Sequence, residues 1–563
     1  MPRPFPLASV AAALAACSGS PTGPPPPNPL PTPTVACASV TPLGLVVGQH
    51  VVLDPATTSG CLRLPAPGAS GAQYLVSLVA TSGVRSSLGV SGGYLLRTSS
   101  PQVAVAAQPS PGLLPEELFP PHFSTAARFD ATLREKEREL AADPRNRPAL
   151  TAPAVQAAPP TVGDSKTFKV CTNLQCSAFG SVKATAKFVG QHVAVFLDDT
   201  VPQSDPLQPG DFAELGNTFD TYHYPADTTA FGRESDLDGN GVVDILMTNA
   251  VNDLTPDCTN GRVIGYFYGG DLLTGVNSNR AEVFYTLVPV PATAKCTAVS
   301  RRATLDNLKP TLIHEFQHMI SFNQHVLIKN GNSEEGWLNE AMSHFAEELG
   351  GRLVPDSACA GFPSCRSQYT SGDIINAYNY LKNPEAYFMV FGTQSTGTLE
   401  ERGADWLFLR WTLDHFSSDT IFAAATTRRL VATALTGTAN IASLPGANVS
   451  TMMAEYLLAA YLDDGTDLPS EPTGLLRFKS WGLRAIWTNP LNANIFTAGF
   501  PVVPDPVGAG FSRLGTLRGG SGRLFLVAQA SGGAPIDMQV LKDSSGTALS
   551  AALVPRYGVV RIR

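Results

Sequence analysis

The segment Thr311-Leu312-Ile313-His314-Glu315-Phe316-Gln317-His318-Met319-Ile320 constrains this chain more than any other stretch. Leu312, Phe316 and Met319, broadened by Ile313 and Ile320, recur at helical spacing. Pro310 is expected in the first turn of that helix, where its missing N–H costs little. His314 and His318 are four residues apart, so both imidazoles leave one helix face, one turn apart. Two ligands of one tetrahedral zinc ion need that separation. Glu315, beside the first histidine, is placed to take a proton from a metal-bound water. The chain has nine histidines. With so few, an accidental HExxH has a probability on the order of 1%.

Zinc that does chemistry takes three protein ligands and keeps one position open. The extension HExxHxxGxxH fails here, because Ser321 and Gln324 stand where Gly and His are required. His325 lies seven residues beyond His318, about 10.5 Å along an unbroken helix, so the two cannot share an ion. The remaining source is a second helix. After a Gly-Asn turn at 331–332 comes Glu334-Glu335-Gly336-Trp337-Leu338-Asn339-Glu340-Ala341-Met342-Ser343-His344-Phe345-Ala346-Glu347-Glu348. Twenty-one residues separate His318 from Glu340, enough for a turn and an antiparallel return. Glu347 is a rival third ligand. Trp337 is expected to pack the helix start.

His314-Glu315-Phe316-Gln317-His318-Met319-Ile320, taken with Trp337-Leu338-Asn339-Glu340-Ala341-Met342-Ser343-His344, resembles the gluzincin-type zinc metallopeptidases, and within them the hyicolysin-like family. The matching motifs cover about forty residues. The resemblance implies zinc ligands at His314, His318 and Glu340, with Glu315 as general base. One departure matters. Thermolysin-like members carry, four residues after the ligand Glu, an Asp that orients a zinc histidine. This chain has His344 there, which leaves the partner of His314 open. His344 lies one turn beyond Glu340 on the same face. It either stabilises a developing oxyanion, bonds another group of the site, or is a polar residue with no chemical role. The GxMEN motif that holds a free amine in the aminopeptidases of this class does not occur, which favours an endopeptidase. Tyr380, Tyr387 and the segment from Arg402 to His415 are unranked candidates for the substrate pocket.

At 563 residues the chain is expected to form two to four domains. Its net charge of −8, with no basic stripe, argues against a nucleic-acid partner. Arg3, the apolar run Leu7 to Ala16, and Leu14-Ala15-Ala16-Cys17 resemble a bacterial lipoprotein signal peptide, 1–16, with lipidation at Cys17. A Pro-rich tether, 17–36, follows. These features lead us to expect an exported protein anchored by lipid to the outer membrane or cell surface. The eight other cysteines fall in neighbouring pairs: Cys37 with Cys61, Cys171 with Cys176, Cys258 with Cys296, and Cys359 with Cys365. Four local disulfides are the simplest arrangement for an exported chain.

The expected fold is multidomain. An α+β metallopeptidase core, 166–489, has mixed strands first and a mainly helical zinc-site region after. It is flanked by β-sandwich-like domains at 37–108 and 490–563. Between them, 109–165 holds Pro clusters around a charged stretch, Ala126 to Ala142, expected as an exposed linker helix or a propeptide. A second metal pattern, Asp236-Leu237-Asp238-Gly239-Asn240-Gly241-Val242-Val243-Asp244, spaces oxygen ligands as in calcium loops. Asp236, Asp238, Asn240, the Val242 carbonyl and Asp244 are the expected Ca²⁺ ligands, and a bare Asx-rich turn is the alternative. The expected partner is a protein or peptide substrate. The competing account is a non-enzymatic surface lipoprotein that binds protein or glycan through its β domains.

Overall fold

Short runs of alternating apolar residues, bounded by Gly and Ser, form strands at both ends of the chain, and these strands pair across the ends. The computed structural model describes residues 37–99, 124–148 and 158–563, apart from 203, 276, 394–396 and 467–470. The signal peptide, Cys17 and the Pro-rich tether lie outside the described residues. One sheet runs in the order His50–Leu53, Pro555–Arg561, Ala72–Ala80, Gly522–Gln529, Asp505–Val507. The other runs Ser512–Arg518, Ser91–Thr98, Ile536–Leu541, Cys61–Leu64. Tyr74, Val76 and Leu78 pack with Phe525, Val527, Met538 and Val559 in one core between them. The expectation of separate β domains at 37–108 and 490–563 is thereby corrected. Each sheet draws strands from both ends, so neither end alone closes a sandwich.

The middle of the chain is mixed α/β. Its six-stranded sheet has the order Ser165–Cys171, Phe179–Val189, Val193–Asp198, Val243–Met247, Val283–Thr286, Gly265–Phe267. Val243–Met247 runs parallel to both neighbours, and Gly265–Phe267 runs antiparallel at the edge. The motif helix, Arg301–Phe322, lies against this edge strand. A Cβ on Gly265 would sit 2.9 Å from the Tyr285 carbonyl and 3.2 Å from Thr311 Cγ2, so only glycine permits that approach.

The motif helix starts earlier than the sequence suggested. Ser300 caps it, its hydroxyl accepting from Ala303 N–H at 3.2 Å, and Pro310 falls inside the helix. Proline there removes the partner of the Asp306 carbonyl. Gln368 replaces it, donating from Nε2 to Asp306 O at 2.7 Å. The chain leaves the helix through a π-turn, Asn323–Ile328, and returns as the helix Gly336–Leu353. Trp337 is fully buried at that helix start, its Nε1 donating to Glu335 at 2.9 Å.

Two further helices, Cys365–Lys382 and Leu399–Phe416, complete the layer. Thr398 and Glu401 form a reciprocal capping box at the start of the second. Gly403 brings the two together, because a Cβ there would lie inside the backbone of Asn376 and Ala377. Gly403→Ala is therefore expected to destabilise the protein by about 1–3 kcal/mol through overpacking. Equilibrium urea unfolding checks this, and an unchanged midpoint would contradict the tight crossing.

The four disulfides pair as expected. Among the described residues, no helix is long and apolar enough to cross a membrane. The charged stretch forms the helix Thr125–Ala142, but it is not an exposed linker. Phe129, Leu133, Arg134, Glu137 and Ala141 form its buried face. Phe129, Leu133, Glu137 and Ala141 follow at four-residue steps, a stripe that the dense charge pattern obscured.

Candidate metal centre

Helical periodicity within one helix and the return of a second bring three candidate ligands together. His314 and His318 turn their Nε2 atoms to within 3.1 Å of each other. Glu340, on the return helix, reaches His314 Nε2 with Oε2 and His318 Nε2 with Oε1, each at 3.5 Å. These three side chains could hold one metal ion. Glu340 Oε1 is buried without a hydrogen-bond partner, an arrangement that costs free energy unless something else meets the oxygen.

The second nitrogen of each histidine is held. His314 Nδ1 lies 2.7 Å from Glu347 Oε1. His318 Nδ1 lies 3.1 Å from Asn339 Oδ1 and 3.0 Å from Ser343 Oγ. Acceptors at Nδ1 fix the proton there and turn the Nε2 lone pair toward the shared position. Glu347 thus fills the place left open by the His344 substitution, one turn further along. His314, Glu347 and His344 also form a close group of their own, so Glu347 remains a geometric rival as ligand. Its carboxylate nevertheless meets Nδ1 of His314, on the side away from the Nε2 pair. Glu347→Ala is expected to weaken metal binding by about 10–100-fold. A competition titration with a chromophoric chelator checks this, and unchanged affinity would contradict the orienting role.

Arg402, named by sequence only as an unranked pocket candidate, is instead a partner of Glu340, and Asp130, Phe267 and Asp373 were not singled out at all. Arg402 donates from Nη1 to Glu340 Oε2 at 2.6 Å and faces Asp130 at 3.4 Å. Burial opposes ionisation of Glu340, but Arg402 and the two histidines hold its carboxyl well below the usual range. Glu315 accepts from the Phe267 backbone N–H at 2.8 Å through Oε2. Burial pushes its carboxyl up to about 8. His344 places Nδ1 2.8 Å from Asp373 and 3.0 Å from Glu347, its ring 5.0 Å from that of His314. Its Nε2 is buried with no partner. His325 is fully buried and 3.7 Å from Glu334, outside the centre, because the π-turn carries it away. Tyr380 bonds Ser521 of the sandwich at 2.9 Å, and no contact joins it to the centre among the described residues.

The calcium expectation meets a different geometry. Lys166 donates to Asp244 at 2.5 Å and Asp238 at 3.5 Å, so an ammonium already neutralises the carboxylate expected at the ninth position. Asn240 turns inward to the loop, donating to Asp238 and accepting from Val242 N–H. The carboxylates that do converge are Asp236, Asp238 and Glu282. The expected set of Asp236, Asp238, Asn240, Val242 and Asp244 is not assembled around one point, because the Lys166 ammonium, from the strand at the sheet's far edge, stands against its carboxylates.

No family model matches the chain. It is similar to the neutral metalloprotease ShpI of Staphylococcus hyicus, with 29% identity over 181 residues. That alignment covers 31% of this chain and spans 38% of the relative. Among solved structures it matches a point mutant of an M1 zinc metallopeptidase from Deinococcus radiodurans, at 11% identity, with a TM-score of 0.27, over 52% of each chain.

Proposed function

We propose that this chain is a zinc-dependent endopeptidase. The observation that carries the proposal is the convergence of His314, His318 and Glu340 beside a buried, backbone-anchored Glu315. The similarity to ShpI supports it. Two imidazole nitrogens and one carboxylate suit zinc with an open position, and the buried, unpartnered Glu340 Oε1 suits a cation. Zinc held there would polarise a scissile carbonyl and acidify a water.

The chain's own groups supply the rest. The Phe267 N–H holds Glu315 through Oε2, which leaves Oε1 to receive the proton of the attacking water. Glu315 keeps that proton until the amine departs and then delivers it. Burial opposes a charge on His344, but Asp373 and Glu347 push its pKa up to about 9. It therefore offers an Nε2–H to the oxyanion of the tetrahedral state. The absence of GxMEN from the sequence supports cuts within a chain rather than at its amino end. The test is digestion of labelled casein by zinc-loaded protein. Internal cuts that stop on chelation and return with zinc are expected. No cleavage by this protein or by the helix-loosened variant described below would overturn the proposal.

A further inference from the structure

The centre is nearly closed: His314 is 7%, Glu315 4% and Glu340 2% exposed. A peptide chain reaching these groups needs a groove, and the helix Thr125–Ala142 stands in the way. Granting the peptidase reading above, we propose that this helix is an intramolecular plug of the substrate groove, and that its release switches the enzyme on.

The contacts are those of an occupant. Arg134 and Glu137 are 2% and 1% exposed, an uncommon depth for ionisable side chains. Arg134 Nη2 donates to the Phe267 carbonyl at 2.7 Å, and Glu137 accepts from the Gly269 N–H at 2.8 Å. These backbone groups belong to the edge strand Gly265–Phe267 and the turn after it. An edge strand offers such groups to any extended chain laid beside it. Here helix side chains take them. Phe267 is central, since its N–H meets Glu315 while its carbonyl meets the plug.

The same helix reaches the ligand side. Arg402, which bonds Glu340, also donates to the Ala127 carbonyl at 3.2 Å and faces Asp130. What remains between helix and centre is a cavity of about 10 Å³, walled by Ala131, Arg134 and Glu135 on one side and by Gly336, Glu340 and Arg402 on the other. That is room for about one water, and a peptide needs far more.

Attachment is partly polar and imperfect. Phe129 packs edge-on against Tyr266 at 5.0 Å and provides an apolar anchor. Arg134 Nε and Nη1, by contrast, are buried with no partner, and unmet donors weaken the docked state. Glu135 meets Arg85 at 2.5 Å, and Arg138 donates to the Ser333 carbonyl, so further polar contacts fasten the helix at its rim.

The test compares full-length protein with the Arg134→Ala/Glu137→Ala variant, both zinc-loaded. Casein hydrolysis and amide hydrogen exchange across 125–142 are measured together. The variant is expected to exchange faster in this helix and to cleave at least about tenfold faster, because the competent fraction rises. Faster exchange with an unchanged, non-zero cleavage rate would overturn the plug and leave the peptidase reading intact. No cleavage by either protein would overturn the peptidase reading, and the plug with it. Should the double variant not fold, Phe129→Ser loosens the same helix at Tyr266 and serves the same comparison.

Discussion

Glu315→Gln is expected to lower casein hydrolysis by about 10²–10⁴-fold, the range a positioned acid–base group supplies. Zinc content should not change, because the proposed ligands are His314, His318 and Glu340. The substituted amide would keep an oxygen to accept from the Phe267 N–H, so the fold around the edge strand should hold. Initial rates and metal analysis on the same preparation check both halves. A rate equal to that of the unsubstituted protein would remove Glu315 from the chemistry.

Glu340→Ala is expected to abolish stable zinc binding and to destabilise the fold. The substitution removes one of the three proposed ligands and strands the Arg402 guanidinium, which is buried against it at 2.6 Å. Removing one member of a buried ion pair costs about 3–5 kcal/mol. Asp130 remains 3.4 Å from Arg402, so the loss should sit at the lower end. The double variant Glu340→Ala/Arg402→Met separates the effects. It should recover much of the stability and none of the metal binding. Calorimetric melting with zinc analysis reads both, and full zinc occupancy in Glu340→Ala would contradict the ligand assignment.

The parts of the site that were legible in sequence are those fixed by helical period. Four-residue spacing places His314 against His318, and a turn of fitting length brings Glu340 back to them. Local disulfides were legible for a similar reason, since short loops leave few pairings. The groups that crossed the fold were not. Arg402 reaches Glu340 from a helix some sixty residues away, and Phe267 reaches Glu315 from a strand. No period within either segment encodes those meetings. The Thr125–Ala142 helix misled because its charges suggested solvent, whereas Arg134 and Glu137 satisfy backbone groups in the interior. The two ends of the chain each look like a small β domain, because alternation reveals strands but not their partners. Pro310 suggested a helix start. Gln368, contributed by another helix, lets it sit inside one.

The most direct test of the account is anomalous diffraction at the zinc edge from crystals of the zinc-loaded protein. A single strong peak is expected, bonded by His314 Nε2, His318 Nε2 and a Glu340 carboxylate oxygen at about 2.0–2.2 Å, with Glu347 on His314 Nδ1 and not on the metal. A peak bonded by His344 and Glu347 with Glu340 left on Arg402, or no peak between the two histidines, would contradict it.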